Sequence, residues 1–421
     1  MMLHKRYYHW WGKGLLLGSI GVSRIGDFIY LIAINILILN MTGSPAAVAG
    51  LWIIAPLASI LTKFWSGSIV DRYDQRQLMI LTDVIRAVLV ALLPLLSDLW
   101  MIYSCLLLVS MASSIFHPAS QAYIVRLIPE EDRKQFNAFQ GLTSSGAFLV
   151  GPAIMGVMLM YTTPDMAIYL NAASFLISAV ILLFLPKLEV KKTDSTGSRS
   201  LTIRMVVNDW AEVLKFSRIA FYVMFIYSFY HLILLIGMAL DSQEVVFILQ
   251  VLDLSELEYG LIISLTGAGS VAGAFVNSLL VKWLPLKHMM GGGMLLVSLG
   301  YLIFSVSDSF TAATLGFVLL GFFSSFANTG MITFYQNNVP AELMGRITSV
   351  FGILISLLQI IAIIVFGVVA ELFSLRLLYL SISVVLIVLS LVLWAASLKK
   401  SATSYYEEGS MLHRTGTQRE Q

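Results

Sequence analysis

G-S-I-V-D-R-Y-D-Q-R-Q-L, residues Gly67 to Leu78, joins two long apolar segments, 45–66 and 78–96. Asp71, Arg72, Asp74 and Arg76 set opposite charges side by side in a turn too short to fold alone, and Lys63 lies just upstream. A loop between two membrane helices does not need that many charges for solubility. Gly67 lets two helix backbones approach closely. Asp71 stands where a helix N-terminus accepts a carboxylate. Arg72 and Arg76 reach carboxylates, or the C-terminal carbonyls of neighbouring helices. Two readings are open: a latch on the inner face, made in one conformation and broken in another, or an ordinary solvated loop that follows the positive-inside bias.

Outward from this loop the chain is apolar. Of 421 residues, 58% are hydrophobic and only 12% charged, about half the charged share of a soluble protein. That composition makes it a polytopic, all-α membrane protein with no large soluble domain. A helix needs about 20 apolar residues to span a bilayer. Twelve stretches meet that length, the first at 14–39 and the last at 375–397, broken by T-G-S-P at 42–45, S-D at 97–98, T-T-P-D at 162–165 and S-D at 307–308. With both termini inside, 23 of the 26 lysines and arginines fall in inner segments and only Arg376 falls outside. The segment 241–258 carries five acidic residues and no basic one. The positive-inside rule therefore places the N- and C-termini in the cytoplasm and the chain in the cell membrane.

The polar stretch 187–204 divides two halves of six, which echo each other. Pro129 matches Pro340 and Gly156 matches Gly367 at one offset, and Gly67 and Gly273 close corresponding second spans. The spacing predicts a six-helix bundle over 1–186, a linker over 187–218, a second six-helix bundle over 219–397 and a disordered tail over 398–421. Val206, Trp210, Val213 and Leu214 share one face beside Asp209, Glu212 and Lys215. They predict a short amphipathic helix, lying either on the inner leaflet or against the base of a bundle.

Candidate chemistry sits where charge enters apolar segments. Arg24 and Asp27 fall in the first, with Asp27 near mid-membrane at 1.5 Å per residue. A charge there costs about 2.5–3.5 kcal/mol unless paired or facing water. Three residues apart, the two lie on one face, so they form either a neutralised pair or a cavity carboxylate that takes a proton or a cationic group. Asp83 and Arg86 repeat the spacing in the third segment. Asp83, nearer the cytoplasm, reads as a further latch or interface partner, and Arg86 either faces a cavity or pairs with Asp83. Gly151, Pro152 and Gly156 allow close helix contact and a bend. His117 and His231 are structural residues or proton relays, and Asn35, Asn171, Asn277 and Gln359 are candidate interhelical hydrogen bonders. No GxxxxGK[ST], HExxH or Cys/His cluster occurs, and the single Cys105 lies in an apolar run. These absences point away from an enzyme, an ATP-driven motor, a metal, a cofactor or a nucleic-acid partner.

G-x-x-x-D-R-x-x-x-R in the opening loop resembles the signature of the major facilitator superfamily, written G-x-x-x-D-R-x-G-R-R/K. Asp74 stands at its second glycine and Gln75 at the first of its later basic residues. G-P-A-I-M-G at 151–156 resembles the superfamily's antiporter signature G-x-x-x-G-P-x-x-G-G, with Ala147 at the leading glycine and Met155 at the first of the final pair. The exporter arginine of the fourth span is absent, since 101–120 contains none. S-R-I-G-D at 23–27, N-M-T-G-S-P-A-A-V-A-G-L at 40–51, F-H-P-A-S-Q-A at 116–122 and E-Y-G-L-I-I-S-L-T-G-A-G-S-V-A-G at 258–273 resemble the macrolide-efflux-like branch of its drug/proton antiporters. The resemblance implies a monomeric secondary transporter of twelve transmembrane helices in two pseudo-symmetric six-helix bundles. It would export amphipathic small molecules in exchange for protons, bind them between the halves and work by alternating access. A facilitator for one metabolite, and a non-transporting membrane scaffold or lipid-handling protein, are the alternatives.

Overall fold

The computed structural model describes residues 2–63, 65–188, 203–281 and 283–406, all helix, turn or loop. Twelve of its helical segments are long and apolar enough to cross a membrane. α1 (Met2–Thr42) starts well before the apolar run at 14, because the basic, aromatic N-terminal stretch contains no proline to stop the helix. It ends at Gly43, whose φ of +62° suits a residue without a Cβ. Pro45 then opens α2 (Pro45–Lys63), at a position where its missing N–H costs nothing. After α3 (Ser66–Arg72), the side chain of Asp74 accepts from the backbone N–H of Arg76 at 2.9 Å and caps α4 (Gln75–Leu92). Asp98 caps α5 (Leu99–Leu127) in the same way, through the N–H of Met101 at 3.0 Å.

α6 (Glu130–Leu159) starts seven residues ahead of the apolar run at 137. Pro129 precedes it and E-E-D fills its first turn, both strong helix-start signals. α7 (Pro164–Leu183) completes the first set. The corresponding proline of the second half, Pro340, precedes α14 (Ala341–Leu372) in the same manner. The rest of that half comprises α8 (Ile203–Ile219), α9 (Phe221–Asp241), the short α10 (Glu244–Val246), α11 (Glu256–Leu280), α12 (Gly293–Ser305), α13 (Phe310–Asn338) and α15 (Leu375–Leu398). On α15 the residues Leu377, Val384, Val388 and Leu391 are exposed along one side. Such a stripe suits hydrocarbon and not water.

The chain forms two compact units, residues 1–201 with Glu256–Ser264, and Thr202–Ser255 with Leu265–Gln421. In the first, α1 packs against α6 and α7, α4 against α5 and α7, and α2 against α5. Leu16, Met79, Tyr123, Ile124 and Leu182 join four of these helices in a buried core. In the second, α12 packs against α13 and α15, and α9 against α14 and α15. α8 packs on α14, and Glu212 of α8 pairs with Arg346 of α14. Val213 is buried against the bundle while Leu214 is 56% exposed, so the two do not share one buried face. The side chains of Val206 and Asp209, and residues 189–202 of the linker, lie outside the described residues.

The tail departs from the expectation of disorder over 398–421. Lys400–Tyr405 form a 3-10 turn, and this turn is docked. Tyr405 stacks on Tyr222 with ring centroids 4.9 Å apart, Tyr406 packs on Phe334 at 5.1 Å, and Asn338 Nδ2 donates to the carbonyl of Tyr405 at 2.8 Å. Two consecutive tyrosines supply apolar surface that a composition-based reading of the tail averages away. Residues 407–421 lie outside those described.

Candidate functional site

The first unit contains a cavity of about 540 Å³. α1 contributes Ser23, Arg24, Asp27 and Tyr30, and the spacing of Asp27 and Tyr30 from the adjacent Ser23 and Arg24 puts them on one face. α4 contributes Arg86 and α7 contributes Asn171 and Phe175. α5 presents a polar stripe of Ser110, Ser113, Ser114, His117, Ser120 and Gln121, again at helical spacing. All three residues singled out for coupling, Arg24, Asp27 and Arg86, therefore line one space.

Their electrostatics differ from a simple ion pair. Among the described residues no hydrogen bond or ion pair falls on Asp27, so it and Arg24 do not form the neutralised pair that their spacing permits. The carboxylate of Asp27 feels the charges of Arg86 and Arg24 without contacting either within bonding distance. Arg86 does two things at once. Its Nη2 pairs with Asp83, and its guanidinium lies between two aromatic rings, 4.4 Å from the centroid of Phe116 and 4.3 Å from that of Phe175. Flanking rings favour a planar cation and fix its orientation. Ser178 donates to the other oxygen of Asp83 at 2.7 Å. Asp83, read on sequence as a latch or interface partner, is fully buried; it pairs with Arg86, and both its oxygens are engaged inside the bundle.

The loop residues hold helix ends. Arg76 is 8% exposed; its Nε donates to the carbonyl of Leu182 at 2.9 Å and its Nη2 to that of Leu183, capping α7. Gln75 donates to the carbonyl of Val70 at 2.8 Å and accepts from Arg126 at 2.8 Å, tying α3 to α5. Asp74 is the N-cap of α4. The two departures from the signature thus each carry a local hydrogen-bonding task. Arg72 is exposed and bonds to no described residue. Gly67 and Asp71 fall in α3, Asp71 at its C-terminal end and not at the helix N-terminus expected for it; the side chain of Asp71 lies outside the described residues.

Gly151 and Pro152 are buried on α6. A Cβ at Gly151 would lie 2.6 Å from Cβ of Phe28, and one at Gly156 would lie 3.0 Å from the carbonyl oxygen of Leu257, so small residues are required for α6 to reach both neighbours. His117 lines the cavity, whereas His231 is occupied by the carbonyl of Tyr227 at 2.8 Å. Asn277 does join two helices, donating to Thr329 Oγ1 at 2.9 Å. Asn35 bonds within its own helix.

Sequence reasoning missed Ser23, Tyr30 and the α5 serines. The signal for the serines was available as a 3.6-residue polar period inside an apolar helix. Tyr30 carried none, because a tyrosine in an apolar helix packs as readily as it binds.

Twelve apolar helices in two units, with charged side chains turned into an internal cavity, define a multi-pass membrane transporter. The family model of the Major Facilitator Superfamily matches residues 16–363, and the chain belongs to that family. It is similar to the MFS-type transporter YfiS of Bacillus subtilis (strain 168), 25% identical over 90% of this chain and 92% of that protein. It is also similar to the staphyloferrin A transporter of Staphylococcus aureus (strain NCTC 8325 / PS 47), 24% identical over 69% and 72%. The crystal structure of the nucleoside transporter NupG shares the fold with a TM-score of 0.74 at 14% identity, covering 92% of this chain and all of that one.

Proposed function

We propose that this transporter moves amphipathic small molecules out across the cell membrane in exchange for protons, by alternating access. The observation that carries the reading is Asp27, a mid-helix carboxylate without a bonded partner among the described residues, lining a cavity beside Arg24 and Arg86. An intramembrane carboxylate that is not neutralised by an ion pair marks an ion or substrate pathway. Asp27 takes a proton on one side of the membrane and exchanges it for substrate on the other. Arg24 and Arg86 set the field in which that exchange occurs. The outward direction rests on the resemblance of Gly151, Pro152 and Gly156 to the antiporter signature. Gly67, Asp71, Arg72 and Arg76 form the latch region on the cytoplasmic side.

The reading is tested in liposomes carrying the purified protein, with an imposed pH gradient and a panel of amphipathic compounds. Gradient-dependent flux is expected for the wild type and background flux for Asp27→Asn, with equal insertion of both proteins. Wild-type rates in Asp27→Asn would remove this carboxylate from the mechanism. A second reading, a facilitator for one specific metabolite, is favoured by the polar serine stripe of α5. It predicts one saturable substrate and no response to the wider panel.

A further inference from the structure

Polar atoms left without partners in a buried setting cost free energy, so their location is informative. Among the described residues, four such atoms belong to side chains that line this cavity: Ser23 Oγ, Tyr30 OH, Arg86 Nε and Asn171 Nδ2. Two of these groups, in Arg86 and Asn171, are donors only, and the two hydroxyls can donate. Arg86 is 4% exposed, spends Nη2 on Asp83, and has no described acceptor for Nε. Its flanking rings, Phe116 and Phe175, hold the guanidinium in place for a planar oxyanion. Asp27, from α1, lines the same cavity and presents the opposite need, an acceptor with no hydrogen-bond donor or ion-pair partner among the described residues. Neither charge satisfies the other.

We infer that the cavity selects substrates carrying both a carboxylate, or another oxyanion, and a protonated amine on one apolar body. The oxyanion docks on Arg86 with Tyr30 and Asn171, and the ammonium group meets Asp27. This deepens the transport reading above and rests on it. It also explains how exchange is enforced. A purely anionic substrate would bind best when Asp27 is protonated, so proton and substrate would travel together. An ammonium group competes with the proton for the same carboxylate, which is what antiport requires.

Four matched fluorescent probes test the inference by binding to the purified full-length protein: Nε-dansyl-lysine, its methyl ester, its Nα-acetyl derivative, and the derivative carrying both caps. The first is zwitterionic, the second cationic, the third anionic and the fourth neutral. Nε-dansyl-lysine is expected to bind at least about tenfold more tightly than either singly capped form, as loss of a charge-assisted hydrogen bond requires. Asp27→Asn should erase the preference for the free amine over the Nα-acetyl form. Arg86→Gln should erase the preference for the free acid over the ester. Because Arg86→Gln strands Asp83, the double variant Asp83→Asn/Arg86→Gln carries the same test without a buried unpaired charge. Equal affinity of the wild type for the acid and the ester, or no binding of any probe, overturns the inference. Gradient-driven flux of uncharged compounds in the same preparation would leave the export reading standing while this one falls.

Discussion

Arg76 separates two roles that a charged loop residue can play. As a latch it would matter for transport and little for folding. As the cap of α7 it holds two carbonyls, Leu182 and Leu183, from a largely buried position. Hydrogen bonds from a charged donor contribute about 1.5–3 kcal/mol each. Arg76→Gln is therefore expected to lose about 2–3 kcal/mol of stability, read as a lowered melting temperature of the detergent-solubilised protein. An unchanged melting temperature with lost transport would return Arg76 to a purely conformational role. At this scale Asp27, Arg24 and Arg86 were legible in the sequence because a charge in an apolar segment is expensive and needs a reason. Ser23, Tyr30 and the cavity-facing role of Asn171 were not, since hydroxyls and amides satisfy themselves within a helix as easily as they face a cavity. The pair of Asp83 with Arg86 was one of the readings their spacing left open. The bond of Asp83 to Ser178 was not legible, because it depends on α7, which sequence spacing does not see.

Between elements, the backbone contacts rest on small residues. In lipid the hydrophobic effect does not drive helices together, so close packing must. The clearest instance is α12 against α13. A Cβ at Gly300 would lie 2.7 Å from the carbonyl oxygen of Gly316, and a Cβ at Gly316 would lie 2.8 Å from that of Gly300. Gly316→Ala is expected to cost about 1–3 kcal/mol through overpacking. Gly146→Ala on α6 meets nothing within 4 Å and should be neutral or stabilising by about 0.5–1 kcal/mol, the ordinary helix-interior gain. Thermal unfolding of the two variants side by side checks the pair, and equal effects would refute the close-contact account. The helices themselves were legible because a bilayer demands long apolar runs. The extensions of α1 and α6 were not, because a hydropathy window stops at the first charges while the helix continues through them. The docked turn after α15 escaped for the same reason: two tyrosines in a polar tail do not move an average.

For the whole chain, the bilayer leaves few choices. Backbone groups must be satisfied within each span, so twelve apolar runs become twelve helices, and the breaks predicted at 42–45, 97–98, 162–165 and 307–308 fall at the junctions of successive helices. What composition does not encode is which side each loop faces; that rests on charge alone. With 23 of 26 basic residues assigned inside, we propose that both termini are cytoplasmic. That orientation is open to a direct labelling test, because the only native cysteine, Cys105, can be replaced by serine. Tyr161 at the end of α6 is 81% exposed, Tyr73 in the opening loop is 60% exposed, and Ser401 in the docked tail is also exposed. Placed singly in the Cys105→Ser background, Tyr161→Cys should react with a membrane-impermeant maleimide in intact cells. Tyr73→Cys and Ser401→Cys should react only after the membrane is permeabilised. The informative comparison is between the last two. Every span from Gln75–Leu95 to Leu375–Leu398 lies between them, so shared protection requires an even number of crossings over that whole length. Labelling of one and not the other in intact cells would break the even count, and with it the pairing of two six-span halves on which the exchange mechanism depends.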